Sequence, residues 1–142
     1  VHKTYRVGEI SVPVLKGVSL KIRRGEFVAL MGASGSGKTT LMNLLGCMDR
    51  PTGGTYHLAG VEVSKLALDQ LAMIRSQQIG FVFQSFNLLP RMSAADNVRM
   101  PAAYSYGRQS FRQLRSRTME LLELVGLGKR YDHTPAQLSG GE

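Results

Sequence analysis

One segment constrains this chain more tightly than any other. Phe27, Val28, Ala29, Leu30 and Met31 form a run that is apolar throughout, as in a strand covered on both faces of a parallel sheet. Gly32-Ala33-Ser34-Gly35-Ser36-Gly37-Lys38-Thr39 follows, and then Leu41, Leu44, Leu45 and Met48 recur at helical spacing until Pro51 and Gly53-Gly54 close the segment. Strand, glycine-rich loop and helix in that order are the context in which G-x-x-x-x-G-K-[ST] binds phosphate. Glycines let backbone N–H groups curl inward around an anion without a Cβ clash, so Gly35 and Gly37 aim amides into the loop. The positive end of the helix dipole at Lys38 adds to that attraction. Lys38 is the charge for the β and γ phosphates, and Thr39 offers a hydroxyl oxygen to Mg²⁺. Thr40 reads either as an α-phosphate ligand or as an ordinary threonine at a helix start.

The remaining segments fit an α/β chain. Val18, Leu20 and Ile22 alternate with Ser19, Lys21 and Arg23 as in a half-buried strand, and Ile79–Phe83 reads as a second buried strand ending at Gln84. Ala59-Gly60 divides Tyr56–Val63 as a hairpin turn would, and Leu66–Arg75 is patterned as a helix. Phe86, Leu88 and Leu89 fall in a loop stopped by Pro90. Ser110 and Gln113 make a capping box for a helix whose apolar face is Phe111, Leu114, Thr118, Leu121, Leu122 and Val125, ended by Gly126.

Charge and cysteine usage narrow the class. The 142 residues carry 18 Lys and Arg against 10 Asp and Glu, a net charge of +8, which suits nucleic acid, anionic head groups or a phosphate ligand. Arg99, Arg108, Arg112, Arg115 and Arg117 lie between Asp96 and Glu120 with no acid among them, either as a solvated face or as a surface for a membrane partner or anionic head groups. The single cysteine, Cys47, excludes an internal disulfide and a multi-cysteine zinc site and points to a reducing compartment. His2, His57 and His133 share no metal-ligand spacing and read as structural or surface residues. No apolar run approaches the ~20 residues of a spanning helix.

A second constellation lies far along the chain. Leu138-Ser139-Gly140-Gly141-Glu142 resembles the LSGGQ signature of ABC ATPases, and Gln84 resembles their Q-loop glutamine. With KTY, VLKGVSL, GEFVALMGASGSGKTTLMNLLG, PTGG, IGFVFQSFNLLP and QLSGGE, the likeness runs over essentially all residues and is nearest to the lipoprotein-release and macrolide-export (LolD/MacB-like) branch. Glu142 stands where the family usually has Gln, a mild departure.

The resemblance implies an α/β P-loop NTPase core with an antiparallel β subdomain and a helical subdomain, incomplete at both ends. Residues 1–84 would hold the β subdomain and phosphate-loop core, and residues 85–142 the helical subdomain up to the signature. It implies an ATP and Mg²⁺ site formed by Tyr5, Gly32, Ser34, Gly35, Ser36, Gly37, Lys38, Thr39, Thr40, Gln84, Ser139, Gly140 and Gly141. Tyr5 would stack on the adenine, Thr39 and Gln84 would touch the metal, and Lys38, Gln84 and Ser139 would serve catalysis. It further implies a head-to-tail pair of such domains and a transmembrane permease, separate or fused, met by Phe86, Leu88, Leu89 and the arginine cluster. The domain would then lie at the cytoplasmic face of the inner membrane, peripheral through its partner. The family's Walker B aspartate and catalytic glutamate follow the signature, so the 142 residues alone are expected to bind ATP without turning it over. A regulator that moves no substrate stays open as an alternative function. A DNA-repair ATPase is less favoured, since such proteins interrupt this region with a coiled coil or zinc-binding cysteines, so nucleic acid is not the expected partner.

Overall fold

β1 (His2–Val7) and β2 (Ile10–Lys16) form an antiparallel hairpin pairing His2 with Lys16 and Tyr5 with Val12, with a bulge at Lys3/Thr4. The computed structural model in which they are seen describes residues 1–103 and 110–141. The outer edge of β1 is covered at its start. Thr52 N–H donates to the His2 carbonyl at 2.8 Å, His2 N–H donates to the Gly53 carbonyl at 2.8 Å, and Thr4 N–H donates to Thr52 Oγ1 at 3.1 Å. Gly54 has φ +83° and lies so close to the chain start that a Cβ would come within 2.9 Å of Val1 Cα, which accounts for glycine there.

α1 (Lys38–Leu45) buries Leu41 and Leu44 against Leu15 of β2, with Val1, Val18 and Leu45 around them. It stops short of Met48 for a local reason. Cys47 takes φ 53°, Met48 N–H donates to the Asn43 carbonyl at 2.9 Å, and Cys47 N–H donates to the Leu44 carbonyl at 3.0 Å. This is a Schellman closure with cysteine in the left-handed position. Arg75 Nη1 holds the Cys47 carbonyl at 2.7 Å, and the Tyr56 hydroxyl donates to the Leu45 carbonyl at 2.8 Å.

β3 (His57–Leu58) and β4 (Val61–Glu62) pair through Ala59 and Gly60, both at positive φ as a type I′ turn requires. α2 (Leu68–Gln78) then packs Leu71 on Cys47 and Val63. Leu71 is 1% exposed, so its truncation to alanine should cost about 2–5 kcal/mol.

These elements make up one compact unit, Val1–Gly80; a second runs Phe81–Glu142. The second is helical. In α3 (Ala94–Ala103), Ser93 Oγ accepts from Asp96 N–H at 3.1 Å, and the carbonyls of His133 and Tyr131 accept from Ala94 and Ala95 N–H at 2.8 and 2.9 Å. α4 (Phe111–Leu124) begins at the expected capping box, with Gln113 N–H on Ser110 Oγ at 3.3 Å and Ser110 N–H on Gln113 Oε1 at 2.9 Å. Gly126 at φ 80° ends it, and the 2.7 Å bond from Leu127 N–H to the Leu122 carbonyl seats Leu127 in a core with Leu122, Ala94 and Ala95.

Three expected strands take no ladder. Residues 18–22, 27–31 and 79–83 are irregular, and Phe27, Met31 and Val82 are almost fully exposed. A buried parallel strand exists only through neighbours on both edges, and none of the described residues supplies them.

Candidate nucleotide-binding site

The phosphate loop shapes itself around Lys38. Its Nζ donates to the carbonyls of Gly32 at 2.8 Å and Ala33 at 2.7 Å, and approaches Ser36 Oγ at 3.5 Å. An ammonium has three donors. Two are committed to the loop, which fixes the long side chain and incurs its rotamer cost, up to about 2 kcal/mol, during folding. The third makes only the long approach to Ser36, so a phosphate oxygen gains most from that direction.

Glycine is required where the loop turns into α1. Gly35 has φ 77° and Gly37, the N-cap of α1, φ 89°. A Cβ on Gly37 would lie 2.9 Å from Leu15 Cδ2 and 3.3 Å from the Val14 carbonyl, so the loop is wedged against the β1–β2 hairpin. α1 has no side-chain cap and no acid in its first turn, whereas α2 and α3 carry Asp69 and Asp96 there. Its first amides therefore keep their attraction for an external anion. The residues fit phosphate. Ser34, Ser36 and Thr39 are exposed, and Thr40 is half-buried in the first turn of α1. Among the described residues no group of three or more His, Cys, Asp or Glu could hold a metal on its own.

Tyr5 belongs to the same unit, on the hairpin that contacts Gly37. Its hydroxyl donates to Asp49 Oδ2 at 3.1 Å, and Lys3 Nζ lies 4.9 Å from its ring centre. Lys3 Nζ also donates to Asp49 Oδ1 at 2.6 Å and to the Arg50 carbonyl at 2.8 Å. Burial pushes the Asp49 carboxyl up, but hydrogen bonds from Lys3, the Arg50 N–H and Tyr5 outweigh it, and the group lies below the usual carboxylate range. Neither Lys3 nor Asp49 is singled out by sequence reading. For Lys3 the sequence offers its place in KTY and its period-two position with Tyr5 on one strand face, and Asp49 has no such signal.

The other expected site residues are in the second unit. Gln84 is exposed in a bend after Phe81 and Phe83, whose rings stack at 5.6 Å. Ser139, Gly140 and Gly141 are exposed after Leu138, which packs on the Leu122 core, and Glu142 lies outside the described residues. Of the arginines, Arg99 pairs with Asp96 and Arg117 with Glu120. Arg112 and Arg115 have no ion pair among the described residues, and Arg108 falls outside them. Arg99, Phe111, Arg115 and Tyr131 line a groove of about 410 Å³.

Residues 15–142 match the ABC transporter family, a span that takes in the phosphate loop, Gln84 and Leu138–Gly141. The chain belongs to that family. Over all 142 residues this ABC chain is 59% identical to a macrolide export ATP-binding/permease protein MacB of Syntrophobacter fumaroxidans and 61% identical to that of Rhodopirellula baltica. It covers only 20% and 21% of those proteins, about a fifth of their length. A dimeric, post-hydrolysis structure of the ATP-binding cassette MJ0796 bound to ADP and Pi is similar at TM-score 0.87 and 44% identity, over 99% of this chain and 62% of that one. The fold is thus that of an ABC ATPase cassette, a phosphate-loop core with an antiparallel β subdomain and a helical subdomain. No helix among the described residues is long and apolar enough to cross a membrane.

Proposed function

We propose that this ABC cassette binds ATP with Mg²⁺ and that the protein containing it hydrolyses ATP to drive a membrane complex of the macrolide-export or lipoprotein-release kind. The placement of Lys38 on the Gly32 and Ala33 carbonyls, at the uncapped start of α1, carries the reading. The names of the MacB relatives support the export assignment.

In this reading the amides of the loop and of the first turn of α1 bind phosphate oxygens, and Lys38 neutralises the β and γ groups. Thr39 gives the metal a hydroxyl oxygen, Thr40 serves the α phosphate and Tyr5 carries the base. Bound Mg²⁺ supplies charge to the terminal phosphates. Gln84 has an amide that both accepts and donates, which suits it to metal and to an attacking water. Ser139 offers a hydroxyl, and Gly140 and Gly141 offer close amides, to the γ phosphate held by a second cassette in a head-to-tail pair. Phe86, Leu88 and Leu89, exposed beside α3, with Arg112 and Arg115, face a permease that is a separate subunit or a fused domain. The cassette then sits peripherally on the cytoplasmic face of the inner membrane.

Calorimetry on the full-length protein tests the reading. Lys38→Ala should abolish most MgATP binding, because it removes a charge-assisted contact to phosphate. Equal affinity in the variant would overturn the assignment.

A further inference from the structure

Resting on the reading of Tyr5 as the base-stacking ring, we propose that Asp49 and Lys3 are positioning residues for nucleotide base binding. They clamp the Tyr5 ring from its hydroxyl and from one face so that the other face is presented to the base. Two contacts converge on the aromatic residue, and a third joins the two side chains that make them. Asp49 uses both oxygens, Oδ2 accepting from the Tyr5 hydroxyl at 3.1 Å and Oδ1 from Lys3 Nζ at 2.6 Å. Lys3 Nζ lies 4.9 Å from the centre of the same ring, in cation–π range, so that side of the ring is occupied.

The clamp is itself anchored. Lys3 is 8% exposed and also donates to the Arg50 carbonyl at 2.8 Å, so its ammonium has little freedom to leave the ring. Asp49 follows directly on the left-handed closure of α1, while Lys3 and Tyr5 lie on the hairpin that Gly37 touches. The ring is therefore fixed from the helix end and the strand together. A phenol tethered at its hydroxyl and covered on one face retains 36% exposure, and that open part is what a flat heteroaromatic base can cover. None of the clamp's polar contacts reaches the phosphate loop, so the clamp acts on the base and not on the triphosphate.

The chemistry gives a distinctive signature. ATP presents both a base and phosphates, whereas inorganic tripolyphosphate presents phosphates only. In the full-length protein with Mg²⁺, calorimetry should show Asp49→Ala weakening ATP about tenfold, within the range expected for losing an ordered base–aromatic stack. Tripolyphosphate affinity should stay at the wild-type value. Asp49→Asn, which keeps an acceptor for the tyrosine hydroxyl and loses the ion pair with Lys3, should lie between wild type and Asp49→Ala. In a Tyr5→Ala background, Asp49→Ala should weaken ATP no further.

An Asp49→Ala variant that binds ATP as wild type does, or that loses ATP and tripolyphosphate equally, overturns the proposal. If Asp49→Ala fails to fold, Asp49→Asn decides the matter by the same two ligands. Failure of the underlying reading looks different: Tyr5→Ala would then leave ATP affinity unchanged relative to wild type, whatever Asp49 does.

Discussion

Leu89 and Asn97 are bonded in both directions: Leu89 N–H donates to Asn97 Oδ1 at 2.8 Å, and Asn97 Nδ2 donates back to the Leu89 carbonyl at 3.3 Å. The same amide nitrogen lies 3.2 Å from the Met92 carbonyl and 3.0 Å from that of Ser93. One α3 side chain thus holds the backbone of an exposed apolar loop as a strand neighbour would. Asn97→Ala should speed exchange of the Leu89 amide about tenfold, the worth of a net bond of roughly 1.4 kcal/mol. Asn97→Asp keeps the acceptor and should protect that amide better than alanine. Hydrogen-exchange NMR or mass spectrometry of the loop peptide reads both.

Among the described residues Arg112 and Arg115 have no ion pair on α4, in contrast to Arg99 and Arg117. Reversing both to glutamate should weaken association with the proposed membrane partner while leaving ATP affinity at its wild-type value, because charges at an interface rim act on encounter and register. Pull-down yield from detergent-solubilised membranes, or an inter-domain crosslink if the two are fused, measures the first effect. Calorimetry measures the second. Equal yield or crosslinking would return these residues to the solvated face.

Gly37→Ala should destabilise the first unit by about 1–2 kcal/mol, from the cost of the left-handed backbone alone. The wedge adds to it, since the new Cβ meets Leu15 Cδ2 at 2.9 Å and the less yielding Val14 carbonyl at 3.3 Å. Thermal denaturation checks the direction, and reduced MgATP affinity should accompany it because Lys38 follows immediately.

The pH dependence has a definite sign. Asp49 sits below its ordinary value when folded, for the reasons given above, and so does Asp96, held by hydrogen bonds from Ser93 and Arg99 against a smaller desolvation. Each stabilises the fold above the unfolded carboxylate pKa of about 3.9 and loses that contribution as pH falls through its lower folded value. Stability should hardly respond to these groups between pH 5 and 7. Asp49→Asn should lower the melting temperature at neutral pH and flatten its fall below about pH 4. Melting curves from pH 7 to 2 on wild type and variant test it.

What the sequence discloses and what it hides divide along a physical line. The start of α1 after Gly37, the Ser110–Gln113 box, the stop at Gly126 and the Ala59-Gly60 turn are local, each set by residues within a turn of one another, and all four are legible. The runs Phe27–Met31 and Ile79–Phe83 carry the composition of buried strands, but pairing is a property of neighbours, and the described residues give them none. The Lys3–Asp49 pair spans 46 positions and has no local pattern to announce it. The early end of α1 is illegible for another reason, because Cys47 occupies a backbone region that composition assigns to glycine. Tyr5 shows the practical result. Read as a stacking ring alone, Tyr5→Phe is nearly silent, whereas the 3.1 Å bond from its hydroxyl to Asp49 gives that oxygen a function.

The close fit of Gly37 against Val14 and Leu15 would make the proposed site a ruler. The hairpin that bears Tyr5 and the loop that bears Lys38 are seated on each other through an atom-to-atom fit with no room for a methyl group. In the proposed site, the interval between Tyr5, for the base, and Lys38, for the phosphates, is therefore set by the fold before any ligand arrives. Ligands that vary beyond the γ phosphate leave that interval untouched. One lengthened by a spacer between ribose and α phosphate would have to give up one end to keep the other, so the proposed site would gauge length as well as chemistry.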